Sequence, residues 1–444
     1  MPSAPRNRRK RSPRHGLLFL AMALAVPQAA HAVRIQYDVG ASVLYSDNIG
    51  LSETDETSDT VISPELNFDV EQAGSTLELT MNGNLQYPYY LDDTFESELQ
   101  GQLAGRMNWT IVPERIDFEV TDTLSRQAVN VLNSFVPSNQ QQVNVLTAGP
   151  TFRARFSDAT RGQVDLRFVN TYAEESEDFQ GNHYSVATRL ERLVRSTDSV
   201  SVNLDALQTD YDDDGALFNY RRYDAYVGYT SRLASLYLEI DAGYSQLRPD
   251  NYEGDDSAPL LRGNVEWQVA PRTTLSAGFN MEFSDAAEYL IWRRDPLTDG
   301  EGPIIDDPSD PLLPIGPQTF KQRRILLNYR FEGERLMVQV NPYYDRIRYQ
   351  TNSDEDQDIK SLNFYADYKL RSDFILSAAA VRQERELDNQ FRNDRYSIYS
   401  VALTKQFSRH WHVRGYYQRA ERDSSGSTES YVENSLMLAV IYRR

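Results

Sequence analysis

The sequence predicts an all-β chain, an antiparallel up-and-down transmembrane β-barrel of about 20 strands (roughly 16–22). Three observations predict it. Apolar and polar residues alternate at period two through most of the chain. The links between these alternating runs are short and long by turns. Aromatic residues mark the ends of the apolar faces.

The alternation is the primary signal, because successive side chains of a strand point to opposite faces. Leu77, Leu79, Met81, Gly83, Leu85 and Tyr87 share one face, and Glu78, Thr80, Asn82, Asn84 and Gln86 the other. Val164, Leu166 and Phe168 oppose Gln163, Asp165 and Arg167. Val200, Val202 and Leu204 oppose Ser201, Asn203 and Asp205, and Leu362, Phe364, Ala366 and Tyr368 oppose Ser361, Asn363, Asp367 and Lys369.

A soluble sandwich also alternates, so the links decide. Short turns are read at 73–75, 112–115, 157–160, 196–198, 232–234, 270–272, 332–334, 371–373 and 408–410. Longer polar links lie between them, at 51–59, 174–182, 212–216, 249–257, 286–318, 351–357 and 423–430. Sorting of loop length by end is the arrangement of an outer-membrane barrel, with periplasmic turns and external loops. Nine short turns imply ten hairpins, with both termini in the periplasm. Tyr45, Tyr87, Tyr229, Tyr244, Tyr368, Trp411 and Tyr442 fit the aromatic girdles at the two membrane surfaces.

Two domains follow. Residues 1–32 read as a cleaved signal peptide: six basic residues (Arg6, Arg8, Arg9, Lys10, Arg11, Arg14), a ten-residue apolar core at 17–26, and Ala30-His31-Ala32 as the cleavage site. Residues 33–444 are the barrel, and no segment is left over for a plug, which argues against a TonB-dependent transporter. The expected location is the Gram-negative cell outer membrane, reached through the periplasm. Expected partners are outer-membrane lipid, lipopolysaccharide and the barrel-assembly machinery, which would read the last strand at 434–444. That strand ends in Arg443-Arg444 where the usual signal ends in Phe.

The whole chain carries a net charge of -19, which argues against a nucleic-acid partner. Cys is absent, which removes disulfides, thiolate nucleophiles and Cys-zinc sites. His183, His410 and His412 are the histidines after residue 32, and neither G-x-S-x-G nor H-E-x-x-H occurs. His412 is expected on the bore side beside Arg414 and Tyr416, His410 in a turn, and His183 near a strand's outer end without an evident partner. No enzyme activity, catalytic residue, metal or cofactor is expected. Asp210, Asp212, Asp214 and Gly215 open like an EF-hand loop, but the twelfth position is Arg221, not an acid, and the reading is a solvated external loop.

Function is expected in the bore, which the polar faces line. The candidates are Arg167, Arg222, Arg324, Arg330 and Lys369 among bases, and Asp165, Asp241, Glu282, Asp345 and Asp367 among acids. They form either a solute path that tests charge and size or an internal salt-bridge lattice. The link at 286–318 holds Pro296, Pro303, Pro308, Pro311, Pro314 and Pro317, with Trp292, Arg293 and Arg294. It either folds into the barrel as a constriction or is a mobile external loop; links of this length are often functional.

Tyr45-Ser46-Asp47-Asn48-Ile49, at the outer end of the first strand, form an aromatic-x-Asp-Asn-Ile motif following a signal peptide. In this the chain resembles the β-barrel porin type 2 group. The resemblance implies an outer-membrane barrel linked with exopolysaccharide export, including systems associated with PEP-CTERM sorting, and passing polysaccharide or small hydrophilic solutes. Asp47 and Asn48 themselves read as a strand-to-loop turn held by Asx hydrogen bonds. Two functions are therefore expected: a channel, or a non-conducting structural or docking barrel for a periplasmic export machine.

Overall fold

The computed structural model describes residues 33–212, 217–251, 254–293, 314–426 and 429–444. The signal-peptide reading, Asp214 and Gly215, and residues 294–313 of the Pro-rich link lie outside them. The strands run β1 (Arg34–Ser46), β2 (Asp59–Ala73), β3 (Leu77–Gln86), β4 (Tyr89–Tyr90), β5 (Gln100–Val112), β6 (Ile116–Ala128), β7 (Gln140–Arg155), β8 (Thr160–Ala173), β9 (Gly181–Leu193) and β10 (Asp198–Tyr211). They continue β11 (Tyr220–Arg232), β12 (Leu236–Pro249), β13 (Asp256–Ala270), β14 (Thr273–Ser284), β15 (Phe320–Glu332), β16 (Leu336–Tyr349), β17 (Gln357–Arg371), β18 (Phe374–Leu387), β19 (Arg392–Gln406), β20 (Trp411–Ser424) and β21 (Tyr431–Arg443). One helix, α1 (Ala286–Arg293), follows β14.

Each strand pairs antiparallel with its sequence neighbours, and β1 also pairs with β21, from Asp38 opposite Arg443 to Ser46 opposite Ser435. The sheet is therefore closed, and a closed sheet has no edge. The short β4 extends β3 beyond Tyr87-Pro88 and pairs with the same neighbour, Val61 opposite Tyr90. A proline cannot donate to the ladder, so the strand breaks there. Counted as one, β3 and β4 give a ring of twenty strands, the number expected. The nine short links stand at one end with both strand termini, and the long links at the other.

The polarity of the wall is that of a membrane barrel. Val200, Val202 and Leu204 are exposed on the outside, while Ser201 and Asn203 are buried toward the bore. The same outward band takes in Val186, Leu190, Val227, Ile240, Leu327, Val401, Leu436 and Leu438. An apolar belt of that extent is not stable against water, and in a bilayer it is the solvated face. The protein is an outer-membrane β-barrel. Leu204→Arg should cost about 2–4 kcal/mol, the range for a cation near the bilayer midplane. Ser201→Thr, on the bore side of the same strand, should cost far less. Urea titration of the barrel refolded in lipid vesicles checks this; equal costs would contradict the assignment of faces.

The seam between first and last strands is locked at both ends. At the long-loop end, Asp47 accepts hydrogen bonds from the Asn434 backbone N–H (2.7 Å) and Nδ2 (2.8 Å). The Ser46 hydroxyl donates to Glu433 at 2.6 Å. Asn48 is fully buried, donates to the carbonyls of Ser52 and Val432, and accepts from the Ser52 N–H. The strand-to-loop turn expected there is held by the Asn48 side chain, reaching four residues on to Ser52 rather than two, and by Ser46 Oγ accepting the Asn48 N–H, and the motif also closes the barrel. At the other end Arg443 forks onto Asp38, with Nη2 at 2.7 Å. The terminal Arg443 thus has a structural partner across the seam. Asp47→Ala removes two charge-assisted hydrogen bonds and should destabilise by about 2 kcal/mol. Heat-modifiable mobility on gels reads this as a lower unfolding temperature; an unchanged temperature would refute the seam role.

Candidate functional site: a bore crossed from within

The link after β14 does not leave the barrel. Asp285 is fully buried, and its Oδ1 accepts the Glu288 backbone N–H at 2.8 Å. That bond caps the first turn of α1, because the leading N–H groups of a helix have no partner inside it. Asp285-Ala286-Ala287-Glu288 carries the residue types of a capping box, with an acid in the first turn. The other Asp285 oxygen accepts the Tyr220 hydroxyl at 2.7 Å.

Glu288 turns to the wall. Arg222 donates Nη1 and Nη2 to its two oxygens, both at 2.7 Å, and a third bond from Nη1 to the Phe283 carbonyl at 3.1 Å. Arg222 also reaches Asp224 through Nε at 3.1 Å, and Ser245 donates to the far oxygen of Asp224. Burial works to raise the Glu288 carboxyl, but the Arg222 guanidinium outweighs it and holds the group below its usual value. The pair therefore stays ionised at neutral pH, and the clamp weakens only as pH falls through that depressed value.

The apolar face of α1 is buried on two walls. Ala286, Ala287 and Leu290 pack with Val143 and Val145 of β7, Ala173 of β8, Phe179 and Ile315. Tyr289 packs with Phe320, Ile347, Tyr349 and Ile359 of β15 to β17, and the Arg324 guanidinium stands 4.8 Å from its ring centre. The strands β7 and β14 lie seven places apart in the ring. The helix thus bridges the bore.

A second segment enters from the other side. Residues 129–139 join β6 to β7 and are stapled by Asn139, which donates to the carbonyls of Asn130 (2.8 Å) and Ser134 (3.0 Å). Their tip reaches strands six to eight places away. Arg392 and Arg422 donate to the Leu132 carbonyl at 2.6 and 2.8 Å, and Arg385 to that of Val131 at 3.1 Å. Ser134 donates to Leu51 at 3.2 Å.

The ten residues expected to line the bore all stand on strands of its wall. Arg167 bridges Glu119 (3.1 Å) and Asp165 (3.3 Å), and Thr151 donates to Asp165. Arg324 donates to Asp345 through Nε at 3.0 Å. Glu282 accepts from Arg262 at 2.7 Å, and Arg330 pairs with Glu332. Asp241 faces the bore beside Ser201 and Gly228. Asp367 and Lys369 stand near the short-turn end, Lys369 exposed. Most of these charges are paired with a neighbour, and among the described residues Arg222 and Arg324 are the two of the ten that touch α1.

The expectation of a partnerless His183 is corrected. The ring is buried, with Thr209 Oγ1 at 3.1 Å from Nδ1, Asp285 at 3.8 Å and Tyr211 packed edge-on. Its neighbours lie on β10 and the link after β14, too far along the chain for local reading. The alternative of a mobile external loop is likewise corrected for residues 286–293. Asp285, Glu288, Asp394, Arg385, Arg392 and Arg422 were not singled out by the sequence, though the capping box was visible there.

This geometry defines a class: an outer-membrane β-barrel whose bore is crossed at the long-loop end by its own inter-strand segments. No family model and no curated protein matches the chain. Among solved structures, the ferric enterobactin receptor of Pseudomonas aeruginosa aligns at 10% identity over 91% of this chain and 80% of its own, with a TM-score of 0.46. A variant of that receptor bound to enterobactin aligns at 9% identity over 93% and 82%, TM-score 0.49. The FrpB iron transporter from Neisseria meningitidis aligns at 8% over 92% and 82%, TM-score 0.45. These likenesses assign neither family nor ligand to this chain.

Proposed function

We propose that the protein is a gated outer-membrane channel for hydrophilic solutes, serving exopolysaccharide export, with no catalytic step. The observation that carries the gate is the way the bore is crossed. Short segments of the chain cross it, pinned by a few ion pairs and carbonyl hydrogen bonds that can be released singly. A bore lined by paired charges suits hydrated solutes, and inward side chains toward the short-turn end, such as Asp69 and Thr80, are exposed. The polysaccharide assignment rests on the Tyr45–Ile49 motif alone. Lipopolysaccharide and the barrel-assembly machinery complete the proposed partners.

A second reading, a non-conducting docking barrel, is favoured by the apolar packing of Leu290 and Tyr289 beneath the helix. Swelling of liposomes in oligosaccharides of rising length separates the two. The channel reading expects slow swelling for the native protein and fast, size-limited swelling when 286–293 are replaced by a Gly-Ser link. A folded variant that admits no sugar would leave the docking reading.

A further inference from the structure

The contact between residues 129–139 and the far wall has a chemistry that closure alone does not require. Three guanidinium groups, from β18, β19 and β20, converge on two neighbouring backbone carbonyls, those of Val131 and Leu132. One carboxylate, Asp394, is shared between two of them: Arg392 Nε lies 3.0 Å from Oδ1 and Arg422 Nη2 2.9 Å from Oδ2. Glu429 adds a contact to Arg422 at 3.5 Å. The Arg422 side chain has no exposed surface, and its Nε has no acceptor among the described residues. Neutral carbonyls are weaker acceptors than anions for such donors.

We propose that Arg385, Arg392 and Arg422 form an internal binding site for an oxyanion group of the transported solute, a carboxylate or a phosphate, which the 131–132 carbonyls fill in the closed state. The guanidinium fork matches two oxygens of one planar anion, whereas a peptide carbonyl offers one. The site stands ready without the loop. Ser424 and both arginines hold Asp394, and the Tyr396 ring lies 5.1 Å from the Arg422 guanidinium carbon. A solute in the bore competes for these cations as the loop tip lifts, since the closed site leaves the Arg422 side chain no exposed surface. Binding and opening are then one event, because an anion that takes the site releases residues 129–139. The inference rests on the channel reading and names its solute class.

The test is titration calorimetry on the purified full-length barrel in detergent, with galacturonate, inorganic phosphate and neutral galactose. The native protein competes with its own loop, so its apparent affinity is the intrinsic one multiplied by the fraction of open molecules. Replacing residues 130–135 by two glycines should tighten anion binding about tenfold or more. In that background, Arg392→Gln with Arg422→Gln should abolish it. Should the glutamine pair not fold, Arg392→Lys with Arg422→Lys keeps the charge, loses the fork, and should weaken binding about tenfold. Binding of galacturonate alone assigns an acidic sugar, and of phosphate alone a phosphate-bearing solute. No anion binding by a folded loop-shortened barrel, or binding indifferent to the arginines, overturns the site. Anion binding without any solute flux would instead overturn the channel reading and leave the site standing.

Discussion

Arg222→Ala should convert the barrel from closed to conducting. Arg222 is 8% exposed and holds both oxygens of Glu288, the Phe283 carbonyl and Asp224. Truncation leaves two carboxylates without their cation, and Asp224 is itself buried. Breaking a buried pair from one side costs about 3–5 kcal/mol. The Glu288 side chain is a third exposed, so solvent screening places the loss at the low end, about 3 kcal/mol. That is on the order of a hundredfold in the ratio of detached to seated helix. The Glu288 share of the cost falls on α1; the wall carries a lesser share, because Asp224 keeps the Ser245 hydroxyl and the β11 ladder does not use the Arg222 side chain. Open probability should therefore rise about a hundredfold while the unfolding temperature of the barrel moves little. Glu288→Gln, which keeps one of the two hydrogen bonds from Arg222, should open it less. A variant that unfolds early without conducting would show that Arg222 supports the wall and not the helix.

Asp394→Ala should act on the other closing segment. Its carboxylate is fully buried and receives Arg392, Arg422 and Ser424. Without it the buried Arg422 guanidinium faces the partly buried one of Arg392, and the expected loss is about 3–5 kcal/mol. Unlike Arg222→Ala, this change injures the wall between β19 and β20 as well as the grip on Leu132. The unfolding temperature should fall clearly and the loop at 129–139 should become susceptible to protease. Asp394→Asn keeps the shape and one acceptor, so it should show a milder form of both effects. Protection of the loop at the native level in Asp394→Ala would contradict its being held from this wall.

The wall was legible in the sequence because its causes are local. A strand between lipid and a wet bore must alternate, and Val200, Val202 and Leu204 against Ser201 and Asn203 show it without any knowledge of neighbours. The turns were legible for the same reason, and so was the turn at Asn48. What closes the bore was legible only in part. Asp285-Ala286-Ala287-Glu288 carried a helix start, but the prolines that follow gave the whole link an irregular look. The segment at 129–139 carried no signal at all. Its partners are Arg385, Arg392 and Arg422, some 254 to 290 residues further on, and no spacing rule spans that distance. The bore charges are subject to the same limit. Arg324 and Asp345 could be placed inward by alternation, yet their pairing follows only from strand register.

In the proposed channel, α1 and residues 129–139 are what shuts the bore. Single-channel recording in planar bilayers tests this most directly, comparing the native protein with the Arg222→Ala, Asp394→Ala double variant. The native barrel should stay silent at moderate voltage, with rare brief openings, and the double variant should give stable, ohmic steps. Equal conductance in both proteins, or silence in a folded double variant, would contradict it.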